Sequence, residues 1–417
     1  MNADVVKLVA VGGGVVAVWQ WVRARALLRH EALVSLGILV YFVLGTLNIE
    51  LFSDDWSPRL SVTQRVWLVV AIGVWGYLLG AWVGRFQARR ALRARDASPE
   101  RLTTDGRRLF LVGWIGLIAL LVLYRAPALT GGGREEQSGY VTAIAQLLIP
   151  AYLLILAASR ARVGWRVWCG AFLAGLGLLA SGYRTYTLVL LFSMALVWFI
   201  QPRTAFERLR ASLLCVGLFL TIGVGFGYWR FLREGNESGQ ELIGSVFGEA
   251  GSRLQLAAAF TYVGFFREGP AILGFLVERT PKLEPYAHGR ALWGTVTSPL
   301  PGQQWDARAI VSKAVYGARQ TSLVSTVFGP WYLDFGLPGV VLGLALLGYV
   351  MSRLEEGALT KRSHVHQAAY AYGLVLVGLS IHTGLSDFAF VILIPAVFMW
   401  STRSAHRSTP IPEPVPS

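Results

Sequence analysis

Cysteine is almost missing from this chain: 417 residues hold two, Cys169 and Cys215. Both fall inside long apolar runs, so a disulfide framework is excluded, and no thiol spacing suits zinc or an iron–sulfur cluster. Charge is also scarce, at 15% of residues against 54% hydrophobic, with a mean hydropathy of +0.51. A soluble domain of this length needs a more polar surface, so a soluble globular fold is excluded. A glycine-rich nucleotide loop is lacking too. The runs "GGGVV" at 12–16 and "GGG" at 131–133 have neither the strand-to-helix setting nor the trailing lysine that phosphate cradling requires. This argues against an ATP-driven pump and against a nucleotide-sugar site. No fixed-period repeat is present.

What the sequence does have is long apolar runs. They lie near 4–22, 33–52, 66–84, 109–124, 141–158, 167–182, 186–200, 211–229, 337–352, 367–384 and 386–401. Crossing a bilayer takes roughly 20 apolar residues, which gives about eleven spans. Backbone polar groups in lipid must bond internally, so each span is helical. The fold class predicted is therefore an all-α polytopic membrane protein. The first run is too long and glycine-rich for a cleaved leader and is expected to stay as a helix.

The net charge of +14 sits mostly in short loops beside the runs. The segment 85–108, "RFQARRALRARDASPERLTTDGRR", is the most arginine-dense and is placed in the cytoplasm. Alternation then puts 23–30, 159–166, 201–210 and 353–366 on the same side, which agrees with their basic content. Insertion topology thus accounts for this charge without nucleic acid. The expected organisation is spans 1–8 over 1–229, a long external helical cap over 230–336 between spans 8 and 9, spans 9–11 over 337–401, and a disordered cytoplasmic tail over 402–417.

Several arginines fall on the external side, where topology does not call for them. They are Arg134 in "GGGREEQSGY", Arg184 in "SGYRTY", Arg290 in "YAHGRALWG", Arg308 in "WDARAIVSK" and Arg319 in "RQTSLVSTVFGPWYLDFGLPG". A guanidinium is always charged and its planar fork matches phosphate oxygens, so converging arginines point to an anionic substrate. Arg184 lies in a turn of about three residues at the bilayer edge, the depth of a lipid-borne pyrophosphate. Glu135, His288 and Asp334 are candidate proton acceptors on the same side, with Glu136 and Asp306 near them. Trp305, Trp331 and Tyr332 offer aromatic faces suited to sugar rings, although membrane interfaces recruit such residues in any case. In the stretch 319–339, Thr321, Ser322, Ser325 and Thr326 supply hydroxyls, while Gly329, Pro330, Gly336 and Pro338 are expected to turn the chain back to the membrane.

Taken in order, "GGGREE", "SGYRT", "HGRALWGTVTSPLPGQQWDARAIVSK" and "RQTSLVSTVFGPWYLDFGLPGVVLG" resemble the Wzy-type O-antigen polymerases, a family of oligosaccharide repeat-unit polymerases. The likeness is strongest over 289–343, where it rests on the glycines of 289–294, the bend at 299–301, Trp305, Lys313, Thr321, Ser322 and a G-x-x-Y-x-x-F-G-x-x-G pattern at 329–339. "SPLPG" lacks the arginine that the pattern carries after its proline. The resemblance implies a glycosyltransferase on the outer face of the bacterial plasma (inner) membrane, without metal or other cofactor. It would move a growing glycan from undecaprenyl diphosphate to the non-reducing end of a lipid-linked repeat unit. Its partners would be undecaprenyl diphosphate-linked oligosaccharide, membrane lipids and a separate chain-length regulator. Arg134, Arg184, Arg290 and Arg319 would hold the diphosphate, and Glu135, Asp334 or His288 would receive the acceptor's proton.

Three alternatives stay open at this level. A ligase of the O-antigen type shares the donor but uses another acceptor. A transferase using a lipid monophosphate sugar would employ Asp54 and Asp55 as base or metal ligands. A flippase needs ionisable groups at mid-membrane, whereas the runs carry charge only near their ends, at Lys7 and Glu50.

Overall fold

The structure, a computed structural model, describes residues 3–24, 29–46, 64–90, 98–124, 139–159, 164–182, 184–201, 268–297, 309–311, 326–385 and 389–407, with a few single positions between them. Regular structure among the described residues is helical throughout. In chain order the helices are α1 Ala3–Ala24, α2 His30–Thr46, α3 Gln64–Arg90, α4 Pro99–Tyr124, α5 Gly139–Gln146, α6 Leu148–Ala158, α7 Trp165–Ala180 and α8 Arg184–Ile200. They continue as α9 Glu268–Arg279, α10 Arg290–Thr297, α11 Gly329–Glu355, α12 His364–Thr383 and α13 Ile394–Arg407. Short π-helical turns at Glu356–Thr360 and Ala389–Leu393 follow α11 and precede α13.

Four stretches are long and apolar enough to cross a bilayer: Arg65–Ala88, Pro99–Tyr124, Gly139–Ala158 and Gly329–Thr360. Shorter apolar helices lie in α1, α2, α7, α8 and at Phe390–Thr402. Exposed apolar residues repeat at helical spacing: Trp75, Leu79, Trp82 and Phe86 on α3, Leu111, Ile115, Ile118 and Val122 on α4, and Leu342, Leu346 and Val350 on α11. Such greasy outer stripes need lipid as their solvent, and the molecule is a helical membrane protein.

The chain divides into two compact units. In the unit formed by Met1–Ala88, Val216–Arg353 and Gly373–Val391, α3 and α11 run in direct backbone contact. A Cβ at Gly76 would sit 3.0 Å from the Val341 carbonyl oxygen, and one at Gly80 or Gly84 would collide with Ala345 or Tyr349. Small residues let membrane helices approach this closely where lipid gives no hydrophobic drive. Beside them, α9, α10 and α11 share a small core of Ile272, Leu276, Ala291, Val311 and Leu333. At the start of α2 the ring of buried His30 bridges the Tyr77 hydroxyl (2.6 Å) and Ser352 Oγ (3.0 Å), and buried Glu31 pairs with Arg85. Ionisable groups are therefore more deeply placed than the runs of sequence indicate.

The second unit comprises Arg89–Cys215, Leu354–Tyr372 and Ile392–Ser417. Helix α4 begins ten residues before the apolar run at 109 because Ser98 caps it, its Oγ accepting the Arg101 N–H at 3.3 Å, with Pro99 and Glu100 in the first turn. The span expected over 141–158 is present as the single stretch Gly139–Ala158, its helix tightened for one turn at Leu147. There the Leu147 N–H bonds to the Ile144 carbonyl (3.1 Å), a tighter i→i−3 turn, and Pro150 offers no N–H to the Gln146 carbonyl. Helices α7 and α8 pack against each other, with a turn at Ser181 and Gly182 closing α7, and Thr187 Oγ1 donates to the buried Gly175 carbonyl at 2.8 Å.

Candidate functional site

The site builds up from a fault in α11. Gly336 has φ 65° and ψ −148°, a backbone state essentially reserved for glycine, and Pro338 follows it. A regular helix would pair the carbonyls of Leu333 and Asp334 with the N–H groups of residues 337 and 338. Proline has no N–H, and the break at Gly336 turns residue 337 away from that ladder. Both freed carbonyls are met by another segment: the Ala287 N–H donates to Leu333 (2.8 Å) and the His288 N–H to Asp334 (3.2 Å). The Asp334 carboxylate completes the strap. Fully buried, it accepts the Ala291 N–H at one oxygen (3.0 Å) and the Leu292 N–H at the other (2.9 Å), so it caps α10 from a distant part of the chain.

This clamp fixes the segment 286–292 in detail. The Tyr286 ring fills the space beside Gly336, where an added Cβ would lie 2.7 Å from its hydroxyl, and it packs edge-on to Tyr332. Tyr332 is buried and donates its hydroxyl to the Thr280 carbonyl at 3.2 Å. His288 takes a left-handed φ of 49°, followed by Gly289 at 91°. A histidine in that region is uncommon and held against its preference. The outcome is that His288 and Arg290 stand exposed on a rigid corner, with Arg290 as the first residue of α10.

The sequence-predicted residues distribute as follows. His288, Arg290, Tyr332 and Asp334 come together in this corner, while Trp331 lies half-buried on α11 against Gly339 and Gly343. Arg184 opens α8 in the other unit, half-buried, shortly after the turn at Ser181 and Gly182. Its turn is held by the Ser181 hydroxyl on the Leu178 carbonyl (2.7 Å) and by Gly182 at φ 92°. Arg134, Glu135, Trp305 and Arg319 lie outside the described residues, as do Asp54, Asp55, Arg308, Thr321, Ser322 and Ser325. Gly329 and Pro330 open α11 instead of forming the expected turn, and of the four turn residues Gly336 and Pro338 make the break. Sequence reasoning missed Tyr286, although an aromatic two residues ahead of His288 was there to be seen. Chemically, the corner offers an exposed guanidinium and an exposed imidazole, an anion ligand and a proton carrier.

A family model described as "Putative O-antigen polymerase" matches residues 27–236 and 271–394, most of the chain. Comparison with curated proteins and with solved structures gives no match.

Proposed function

Because the chain belongs to the O-antigen polymerase family, a membership that supports a role in polysaccharide polymerisation on lipid-linked oligosaccharide, we propose that it transfers a growing glycan from undecaprenyl diphosphate to the non-reducing end of a lipid-linked repeat unit. The reaction takes place on the outer face of a bacterial inner membrane. The acceptor hydroxyl oxygen bonds to the anomeric carbon of the donor glycan, the bond from that carbon to the diphosphate oxygen breaks, and undecaprenyl diphosphate leaves with the electron pair. The hydroxyl proton passes to a base.

The observation that carries this proposal within the family is the clamped corner. A strained His288 and an exposed Arg290, held by the buried Asp334, form a rigid anion-facing group of the kind that stabilises a departing diphosphate without reorganisation. Arg184, Arg134 and Arg319 are proposed as further diphosphate ligands. Glu135 and His288 are the proposed base candidates. Asp334 was the third, and its occupied oxygens give it the part of positioning residue here. Trp305, Trp331 and Tyr332 belong to the proposed glycan groove, Tyr332 from beneath because it is buried. No metal is assigned a role, and a chain-length regulator remains a proposed partner.

The test is direct. Purified protein is incubated with lipid-linked repeat unit alone, and a ladder of lengthened products is expected without nucleotide, metal or a second protein. Absence of a ladder, with the protein folded, would overturn the proposal.

A further inference from the structure

We propose that the polyprenyl tail of the lipid-linked substrate lies along the outer stripe of α11, from Phe335 to Leu346, while its diphosphate meets Arg290. The inference rests on the polymerase reading above and adds the path by which a lipid reaches the corner.

The exposed residues of α11 are Phe335, Pro338, Leu342, Leu346 and Val350, spaced every three or four residues and so on one face. The break at Gly336 does not interrupt this stripe. A Cβ on Gly339 would lie 2.7 Å from the Phe335 Cβ, so Phe335 is folded onto the turn that carries Pro338 and Leu342. From Pro338 to Val350 the helix rises about 18 Å, more than one leaflet of a hydrocarbon core about 30 Å thick. Alone, such a stripe says only that lipid is its solvent.

Its Phe335 end gives it a further meaning. The Phe335 ring stands 3.6 Å from the place of a Cβ on Gly289, so it lies against the backbone joining His288 to Arg290, both of them exposed. Trp293, three residues after Arg290 and on the same face of α10, is 66% exposed, and tryptophan favours the headgroup level of a bilayer. An apolar stripe a leaflet deep therefore ends on a guanidinium at headgroup depth, the outline of an amphiphile with an anionic head. Lipid tails are as apolar as leucine, so the stripe adds little affinity over bulk lipid. Capture comes from the head, where a diphosphate, with more charge than a phospholipid's phosphate, gains more from the same guanidinium. The stripe sets direction: a tail laid along α11 leaves the glycan, on the other side of the diphosphate, pointing away from the hydrocarbon.

The test is photocrosslinking of the full chain in nanodiscs, with undecaprenyl diphosphate labelled in its phosphates as the probe. A benzophenone-bearing phenylalanine replaces Phe335, Leu342 or Leu346 in turn. The control for bulk lipid is the same replacement at Val122 on α4, which is as exposed as Leu342, at 70% each. Charge-assisted hydrogen bonds at the head should raise labelling at all three α11 positions about tenfold or more above Val122. Arg290→Ala should return it to the Val122 level, and excess phosphatidylglycerol should leave it in place. Labelling no stronger than at Val122, labelling that survives Arg290→Ala, or labelling erased by phosphatidylglycerol overturns the tail path. Failure of the polymerase reading gives a different result: strong labelling along α11 by a protein that makes no ladder from lipid-linked repeat unit upholds the path and defeats the reaction. A ladder with labelling at the Val122 level does the reverse. Melting temperatures of the variants report folding separately.

Discussion

At the scale of single residues, the sharpest contrast is between Asp334 and Arg290. Both stood out in the sequence as polar groups near the membrane edge, but their surroundings give them different work. Asp334 has both oxygens on backbone amides, so Asp334→Ala strands two N–H groups and should cost about 1–3 kcal/mol. Asp334→Asn keeps one acceptor and presents an NH2 to the other amide, so it should not rescue. Thermal unfolding in detergent is the check, and polymer lengthening should fall in parallel because α10 loses its seat. Arg290 is exposed, so Arg290→Ala should leave the melting temperature unchanged and stop lengthening, with single repeat units accumulating. A normal ladder from Arg290→Ala would remove it from the site. The residue types of this corner were legible from the sequence. That the acid caps the very helix carrying the arginine was not, since the pairing depends on a tertiary contact between separate segments. The Glu31–Arg85 pair was hidden for the same reason. Arg85→Ala would leave a buried carboxylate without its guanidinium, which typically costs about 3–5 kcal/mol and should appear as a lower melting temperature.

At the scale of elements, apolar runs announced most helices because a span must be continuous and greasy. Where the structure departs from them, local chemistry explains it. Ser98, Pro99 and Glu100 are a helix-start signal, and Pro150 signals a local loosening of the helix ladder, neither of which hydropathy alone registers. Gly329, Pro330, Gly336 and Pro338 spell a turn by composition, yet Pro330 sits where a helix tolerates it, in the first turn, and only Gly336 leaves helical geometry. The glycine–tyrosine–phenylalanine–glycine pattern that carried the family likeness thus marks a broken helix. Gly336→Ala forces a side chain into a left-handed position against Tyr286 and should destabilise by about 1–3 kcal/mol. The α3–α11 contact makes a harsher demand. Gly80→Leu must push α11 away at Ala345, and since overpacking costs typically 1–3 kcal/mol and sometimes more, a marked fall in melting temperature and in folded yield is expected. A melting curve like that of the wild type would mean that the two helices do not touch there.

At the scale of the whole molecule, the decisive question is which loops share a side of the membrane, and parity answers it. Between Ser98 and Lys282 the sequence holds five apolar runs: 109–124, 141–158, 167–182, 186–200 and 211–229. The first four correspond to α4, to α5 with α6, to α7 and to α8, while the run at 211–229 lies almost wholly outside the described residues. If all five cross, Ser98 and Lys282 face opposite compartments. The arginine density around Ser98 is the reason to expect it in the cytoplasm, and five crossings would then turn the α9–α10 region outward, as the proposed transfer from a diphosphate-linked glycan requires. If 211–229 does not cross, both positions are cytoplasmic and the corner of His288 and Arg290 is on the wrong side for an external glycan. Ser98 and Lys282 are both exposed, which makes each suitable for chemical labelling. With Cys169 and Cys215 replaced by alanine, a membrane-impermeant maleimide applied to intact spheroplasts should label the Lys282→Cys variant at once. It should label the Ser98→Cys variant only after permeabilisation. Protection of both until the membrane is opened would overturn the external site and the polymerase reaction assigned to it, because the substrates would then have to meet the enzyme before crossing the membrane.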